Sequence, residues 1–201
     1  MPTIRPQFAS HVIPMIAQPD RSYLSPDDYL AAEAQAEIKH EYHDGEVFAM
    51  AGVSEEHNLI SGSLYTLLRA HLRGSSCKTF FADMKVRIES ANRFYYPDLL
   101  VTCDLRDRET RYYKKHPKLI IEILSNSTEA FDRGAKFHHY RALESLQEYV
   151  LVNQDHTEVE IYRRMGDRTW SFETYGAGET VRFASLDLDC PIAEIYTDIT
   201  F

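Results

Sequence analysis

The sequence is poor in cysteine and contains no long apolar run. Its 201 residues include three cysteines, Cys77, Cys103 and Cys190, and this odd, widely spaced set argues against a disulfide framework or a thiolate metal site. No stretch approaches the roughly 18 apolar residues of a membrane span, and the first 20 residues lack the apolar core of a secretory signal. We therefore expect a cytoplasmic protein with no membrane partner.

Several catalytic motifs are also missing. The sequence has no glycine-rich phosphate loop, no Gly-x-Ser-x-Gly elbow and no Cys-x-x-Cys pair, which argues against P-loop, serine-hydrolase and dithiol chemistry. No His-x-x-x-His pair accompanies a glutamate, so a zinc hydrolase is not expected.

Basic residues are outnumbered, with 22 Lys and Arg against 31 Asp and Glu and a net charge of −9. This balance argues against non-specific binding to bulk nucleic acid. The charge is uneven, because residues 26–56 carry nine acids and one base, whereas residues 103–118 carry six bases and three acids. A local anion-binding surface therefore stays possible.

What the sequence does contain is typical of one globular domain. Apolar residues make up 44% and charged residues 26%, which is an ordinary globular composition. At roughly 150 residues per domain, we expect a single domain over residues 23–201 and an N-terminal arm over residues 1–22.

The N-terminal half predicts two helices with a hairpin between them. Ser25 is placed to cap a helix that runs to about residue 36, with proline at its first position. Asp44-Gly45 is a dipeptide that favours a type I′ hairpin turn. Residues 56–72 carry apolar side chains at helical spacing, and Gly74 ends that pattern.

Three strands follow, according to the side-chain pattern. Residues 80–89 alternate between apolar and polar and predict one strand with a wet face. Residues 94–102 predict a second strand, in which Pro97 requires a bend, a bulge or an edge. Residues 119–124 form a short apolar run that predicts a third strand.

The remaining pattern completes an α/β fold. A Ser/Thr-rich cap introduces a helix over residues 125–143, and residues 148–152 predict a buried strand that is parallel to the third one. Residues 158–189 predict antiparallel strands added to the same sheet. The order α-β-β-β-α-β indicates a mixed β-sheet flanked by helices, with added antiparallel strands.

Two acids interrupt apolar strands and are the first candidates for chemistry. Glu122 lies in a strand whose faces are both expected to be covered, and Asp98 follows Pro97 in the neighbouring strand. Each has an ordinary alternative, a structural ion pair for Glu122 and a strand end for Asp98. Two close carboxylates resist joint ionisation, and a divalent cation such as Mg²⁺ or Mn²⁺ removes that difficulty.

Lys136 is the candidate cation of the same site. It lies on the helix that is expected to pack back over the sheet, so it can reach both acids, unless it is a solvated surface lysine. A lysine beside a metal would stabilise the charge that develops when water attacks a phosphodiester.

These segments resemble a known family. Tyr96-Pro97-Asp98, Glu122-Ile123-Leu124-Ser125 and Asp132-Arg133-Gly134-Ala135-Lys136 are similar to the PD-(D/E)XK nuclease pattern and, more narrowly, to the Uma-type restriction endonuclease family. The resemblance covers about residues 23–189 and includes Glu41-Tyr42-His43-Asp44-Gly45.

The resemblance implies a restriction-endonuclease-like core and Mg²⁺-dependent (or Mn²⁺-dependent) hydrolysis of DNA. It assigns metal binding to Asp98, Glu122 and the carbonyl of Ile123, and it implies that Glu41 adds a metal or water contact. The alternative for Glu41 is a solvated acid within an acidic stretch. One departure concerns the lysine, since Leu124 stands in its usual position and the role passes to Lys136.

The sequence therefore leaves two functional hypotheses. The first is a DNA endonuclease that acts as a homodimer, with phosphates held by the basic loop over residues 106–118. This loop links the Asp98 strand to the Glu122 strand, so its ends are expected to lie near the metal ligands. The second is a non-catalytic nucleic-acid-binding or regulatory module on the same fold, which Leu124 and the acidic net charge favour.

Overall fold

The computed structural model describes residues 23–166 and 169–201, so the predicted arm lies outside the described residues. Its first elements are α1 (Pro26–Glu33), β1 (His40–His43), β2 (Glu46–Ala49) and α2 (Glu55–His71). The Ser25 hydroxyl accepts a hydrogen bond from the Asp28 N–H at 3.2 Å, as predicted for a capping residue. Asp44 and Gly45 both have positive φ, 48° and 98°, which confirms the tight hairpin turn.

A five-stranded sheet is built around this hairpin, in the order β2-β1-β5-β4-β7. Its further strands are β4 (Lys85–Ile88), β5 (Arg93–Tyr95) and β7 (Tyr113–Lys114). β7 runs parallel to β4, whereas the other neighbours are antiparallel.

A six-stranded sheet has the order β11-β10-β9-β8-β6-β3. The strands are β3 (Lys78–Phe81), β6 (Leu99–Thr102), β8 (Leu119–Leu124), β9 (Glu148–Asn153), β10 (Glu158–Arg164) and β11 (Trp170–Gly176). β8 and β9 are parallel, as the strand-helix-strand pattern predicts, and the other pairs are antiparallel.

The helix between β8 and β9 consists of α3 (Glu129–Phe131), a π-helical turn (Asp132–Lys136) and α4 (Phe137–Tyr140). It is therefore shorter than predicted. The chain continues with β12 (Thr180–Phe183), β13 (Leu188–Pro191) and α5 (Ile192–Ile195). The prediction that all strands after residue 158 extend one sheet is wrong for β12 and β13, which pair only with each other in a separate sheet.

Two segments predicted as single strands are each divided between the two sheets. The first breaks after Phe81, where Ala82 has a φ of +59° and the chain leaves β3 for β4. The second breaks at Tyr96-Pro97-Asp98, between β5 and β6, because proline cannot donate to the ladder. The prediction of a bend at Pro97 is confirmed, and the prediction of a continuous strand over residues 80–89 is wrong.

The six-stranded sheet lies between two apolar layers. Alternate residues of β8 and β9, such as Ile121 and Val150, pack with α2 and α5. The residues between them, such as Leu124 and Leu151, pack with α4 and with the five-stranded sheet. The predicted mixed α/β class is confirmed.

The cysteine prediction needs a correction. Cys77 and Cys103 flank the paired strands β3 and β6 and form a disulfide, with Cα atoms 3.9 Å apart. Spacing along the chain does not reveal this pairing because the antiparallel register brings the two residues opposite each other. Cys190 is free and buried. Among the described residues, no helix is both long and apolar enough to cross a membrane.

Candidate active site

Asp98 and Glu122 meet where β6 begins beside β8. Leu99 pairs with Ile121 in the antiparallel register, so the residue before β6 lies next to Glu122. The Asp98 N–H donates to Glu122 Oε2 at 3.4 Å, and the Ile123 N–H donates to Asp98 Oδ2 at 2.7 Å. Because the chain bends at Pro97, Asp98 precedes the paired part of β6, and its side chain accepts the hydrogen bond from the Ile123 N–H.

Lys136 lies at the centre of an acidic cluster. Its Nζ is 2.9 Å from Glu122 Oε1, 3.3 Å from Asp132 Oδ1 and 3.7 Å from Glu41 Oε1. Burial opposes the charged form of the lysine, but these carboxylates outweigh burial and raise its pKa well above the ordinary value. The side chain is therefore an ammonium ion held in the interior, and the alternative of a solvated surface lysine is wrong.

The strand position that usually carries the lysine is occupied by the apolar core. Leu124 is 3% exposed and packs with Phe137 and Tyr140 of α4. Residues i and i+2 of a strand face the same side, so Leu124 and Glu122 both face the helix. Lys136 extends from the helix toward this side of β8, and its ammonium contacts the Glu122 carboxylate. A lysine at position 124 would lie next to the same carboxylate.

Glu41 joins the cluster from the five-stranded sheet. Its Oε1 accepts a hydrogen bond from the Tyr96 N–H at 3.1 Å, and its Oε2 lies 3.5 Å from His43 Nε2. Although burial raises the pKa of Glu41, Lys136 and these donors outweigh burial, and the net shift is downward. Glu41 is therefore ionised, and the alternative of a solvated acid is wrong.

Asp132 is a member of the cluster that the sequence analysis did not select. It is 3% exposed, and burial is the main cause of its raised pKa. Its spacing of four residues from Lys136 is the sequence signal that could have identified it. Burial also raises the pKa of Glu122 well above the ordinary value, and the Tyr140 hydroxyl donates to Glu122 Oε1 at 3.1 Å.

His57 is a second contact without a firm sequence prediction. It lies in the first turn of α2, where its N–H donates to the capping Ser54 hydroxyl at 3.2 Å. Its Nε2 is 3.2 Å from Asp98 Oδ2, and its side chain is 9% exposed. Together with the Ile123 N–H, His57 occupies Oδ2 of Asp98, and Oδ1 has no hydrogen-bond partner within the described part of the chain.

The cluster opens into a cleft of about 550 Å³. One wall is the loop after β2, and the opposite wall is the hydroxyl-rich turn after β8, which includes Ser125, Ser127 and Thr128. Asp98, Glu122, Asp132 and Lys136 all line the cleft. A reacting group can therefore reach them from solvent.

The donor set fits a hard divalent cation. Asp98 Oδ1 is available, and Glu122 Oε2 lies next to Asp98 because it accepts a hydrogen bond from the Asp98 N–H. The Ile123 N–H points toward Asp98, and the carbonyl of a strand residue projects to the same side as its N–H. The described residues hold no group of three or more His, Cys, Asp or Glu side chains arranged for a metal, so water and substrate would have to complete the shell.

The basic loop lies away from this cleft. β6 runs from Leu99 to Thr102, and Val101 pairs with Leu119, so the loop joins the ends of β6 and β8 opposite to Asp98 and Glu122. The expectation that its ends lie near the metal ligands is wrong. Lys114 is also buried, and its Nζ donates to the carbonyl of Asp107 at 2.7 Å.

Comparisons with known proteins agree with this fold. Residues 26–192 match the sequence profile of the Uma2 family, described as "putative restriction endonuclease". Two uncharacterised Synechocystis proteins, slr1290 and sll1609, are 39% and 33% identical over 178 and 169 residues. The alignments cover 89% and 82% of this chain, and 94% and 95% of the relatives.

A solved structure is also similar. It is a crystal structure from Anabaena variabilis, described as a "putative nuclease belonging to DUF820". The superposition has a TM-score of 0.67 and covers 81% of this chain and 92% of that one, with 17% sequence identity. The likeness confirms the predicted restriction-endonuclease-like core at the level of the fold.

Proposed function

Because the chain belongs to the Uma2 family, whose description is "putative restriction endonuclease", we propose that it is an endonuclease that hydrolyses DNA with Mg²⁺ or Mn²⁺. One observation carries the proposal. A buried ammonium group, Lys136, contacts Glu122, and Glu122 lies beside Asp98 of the neighbouring strand, in an open cleft. Buried charges cost stability, so a cluster of them that lines a cleft is a candidate functional site.

Asp98, Glu122 and the Ile123 carbonyl would hold the metal ion. When bound, the ion supplies a Lewis acid and lowers the pKa of a coordinated water. Lys136, whose own side chain is buried, provides positive charge at the place where the attacked phosphate gains negative charge. Glu41 keeps that ammonium in place through its own contact, because its carboxylate is anchored by the Tyr96 N–H.

A non-catalytic nucleic-acid-binding or regulatory module is the alternative. The direct ion pair between Lys136 and Glu122 favours it, because the lysine then satisfies the carboxylate that a metal would need. Calorimetric titration with Mg²⁺ and Mn²⁺ separates the two functions. Ion uptake that disappears in Asp98→Asn supports the nuclease, and no uptake at millimolar concentration supports the module.

Plasmid nicking tests the activity directly. We expect the wild-type protein to nick supercoiled DNA in Mg²⁺ or Mn²⁺, and Asp98→Asn to lose at least about 100-fold in rate. Asp189→Asn is the matched control, because Asp189 lies on the separate β12–β13 hairpin and is not expected to affect cleavage. Equal nicking by wild type and Asp98→Asn would refute the assignment of the site.

The assembly and the compartment belong to the same proposal. Cutting both strands of a duplex most simply takes two sites related by a two-fold axis, so we propose a homodimer. β11 is an edge strand of the six-stranded sheet, and Phe172 on it is 53% exposed, which supports this surface as the contact. Light scattering at micromolar concentration tests the dimer.

We also propose a cytoplasmic location, where the Cys77–Cys103 pair would be reduced.

A further inference from the structure

Arg93 is a basic residue at the start of β5 that has no acidic partner among the described residues. Other cations nearby are neutralised: Arg133 contacts Glu129 and Glu160, and Lys39 contacts Asp83. Arg93 forms no side-chain hydrogen bond or ion pair within the same part of the chain, and its buried Nε has no partner. A buried donor without a partner costs free energy, and an anion bound at Arg93 would satisfy this one.

The position of Arg93 relates it directly to the acidic cluster. Arg93 and Tyr95 face the same side of β5, and Arg93 pairs with His43 of β1 in the sheet register. His43 is two residues from Glu41, so the two side chains share a face and are separated by about 7 Å along the strand. Arg93, which is opposite His43, is therefore displaced by one two-residue repeat of the strand from Glu41, the residue that contacts Lys136.

Histidine side chains lie near the guanidinium, since His43 is opposite Arg93 in the register. His139 Nδ1 lies 2.8 Å from the Tyr95 hydroxyl. Burial, together with the nearby charge of Arg93, lowers the pKa of His139 to about 4, which places Arg93 beside that ring and keeps the ring neutral at pH 7. His138 is exposed next to it. The patch of Arg93, His43, His138 and His139, called here the Arg93 patch, thus offers an anion the guanidinium of Arg93 and several imidazole nitrogens.

We propose that the Arg93 patch binds the phosphate adjacent to the one that is cleaved, so that the DNA backbone runs from Lys136 along β1 toward Arg93. This assignment rests on the proposed nuclease function and deepens it. A single step of about 7 Å along a strand is comparable to the distance between successive phosphates of an extended nucleic acid strand. Guanidinium groups suit phosphate because their donors form a planar fork.

The test is DNA binding without cleavage. Anisotropy of a fluorescent duplex and of the corresponding single strand is measured in EDTA over a range of salt concentrations. We expect Arg93→Gln to weaken binding about tenfold at low salt and to reduce the slope of log affinity against log salt by about 1. Arg93→Lys keeps the charge and is expected to keep the slope.

Arg111→Gln is the matched control, since Arg111 is an exposed cation in the loop remote from the cleft, and we expect wild-type binding. Wild-type affinity and salt slope in a folded Arg93→Gln protein would overturn the Arg93 patch alone. A loss in Arg111→Gln but not in Arg93→Gln would overturn it in favour of the loop. Failure of the wild-type protein to bind any DNA would instead overturn the proposed function.

Discussion

Lys136 Nζ lies 2.9 Å from Glu122 Oε1, although the lysine comes from a π-helical turn and the glutamate from β8. Both side chains are buried, with 6% and 2% of the residue exposed. The lysine balances not one carboxylate but three, since Glu41 and Asp132 contact the same ammonium. The stability of the cluster therefore depends on a single positive charge.

Replacing that charge is expected to be costly. Lys136→Met keeps the length of the side chain but leaves Glu41, Glu122 and Asp132 without a cation. We expect a loss of about 3–5 kcal/mol in the free energy of unfolding at neutral pH, measured by chemical denaturation. Adding Glu122→Gln to Lys136→Met should restore part of the loss, and no restoration would show that the carboxylates are not the cause.

The cost should depend on pH. Burial raises the pKa values of Glu122 and Asp132 in the folded state, and Lys136→Met removes the group that opposes this rise. A carboxyl with a raised folded pKa contributes stability that is present below its unfolded pKa and is lost as the pH rises through the folded pKa. The difference between wild type and Lys136→Met is therefore expected to shrink from pH 8 to pH 5. A constant difference would mean that these acids stay ionised.

His57 is expected to act on the metal through Asp98. Its Nε2 and the Ile123 N–H both engage Asp98 Oδ2, which fixes the orientation of the carboxylate. Partners of this kind typically change metal affinity 10–100-fold. We expect His57→Ala to lose roughly that factor in Mn²⁺ affinity by calorimetry, and His57→Gln, which keeps an N–H, to lose less.

The same helix provides the control for this experiment. His71 lies at the other end of α2, and its Nε2 contacts the Leu186 carbonyl at 2.8 Å. His71→Ala also removes one contact of a histidine, so we expect lower stability but wild-type ion affinity. Equal affinity in His57→Ala and wild type would show that the Ile123 N–H alone orients Asp98.

The disulfide makes a prediction about oxidised protein. The Cys77–Cys103 bond closes a loop with a sequence separation of 26, for which the chain-entropy estimate is about 3.5 kcal/mol. We expect Cys103→Ser to lower the free energy of unfolding by up to that amount without reductant, and to match wild type when both are reduced. Thiol titration of unfolded, oxidised wild type should give one free cysteine, and three would contradict the bond.

The sequence predicts the two acids and their neighbourhood because each leaves a local signal. Asp98 and Glu122 are charges inside apolar runs. Pro97 marks the break between β5 and β6 because proline has no backbone N–H to donate to a sheet, whatever surrounds it. The break at Ala82 leaves no such signal, since an alanine at positive φ is uncommon and the alternation of polar and apolar residues continues across it. The two strands then join different sheets.

The errors in the site have a similar origin. Asp132 lies in a polar, capped segment where an acid at a helix start is ordinary, so nothing local indicates its burial. The basic loop connects the two strands that carry Asp98 and Glu122, which suggests a position beside the cleft, but the antiparallel register puts that connection at the other end of both strands. Both errors concern how elements are arranged in space, which composition and spacing do not contain.

The π-helical turn over Asp132–Lys136 has one more consequence. A π turn holds one residue more than an α turn would, and each residue of an α-helix adds about 100° of rotation. Gly134 lies within this turn, and a side chain there would meet nothing within 4 Å, so the turn does not need a glycine for space. Deleting one residue from this turn would restore α geometry. The segment before the turn would then be rotated relative to Phe137 and the residues that follow it. The direction in which the Lys136 side chain points around the helix axis thus depends on the number of residues in this one turn. A single-residue insertion can therefore move a lysine from outside a site into it.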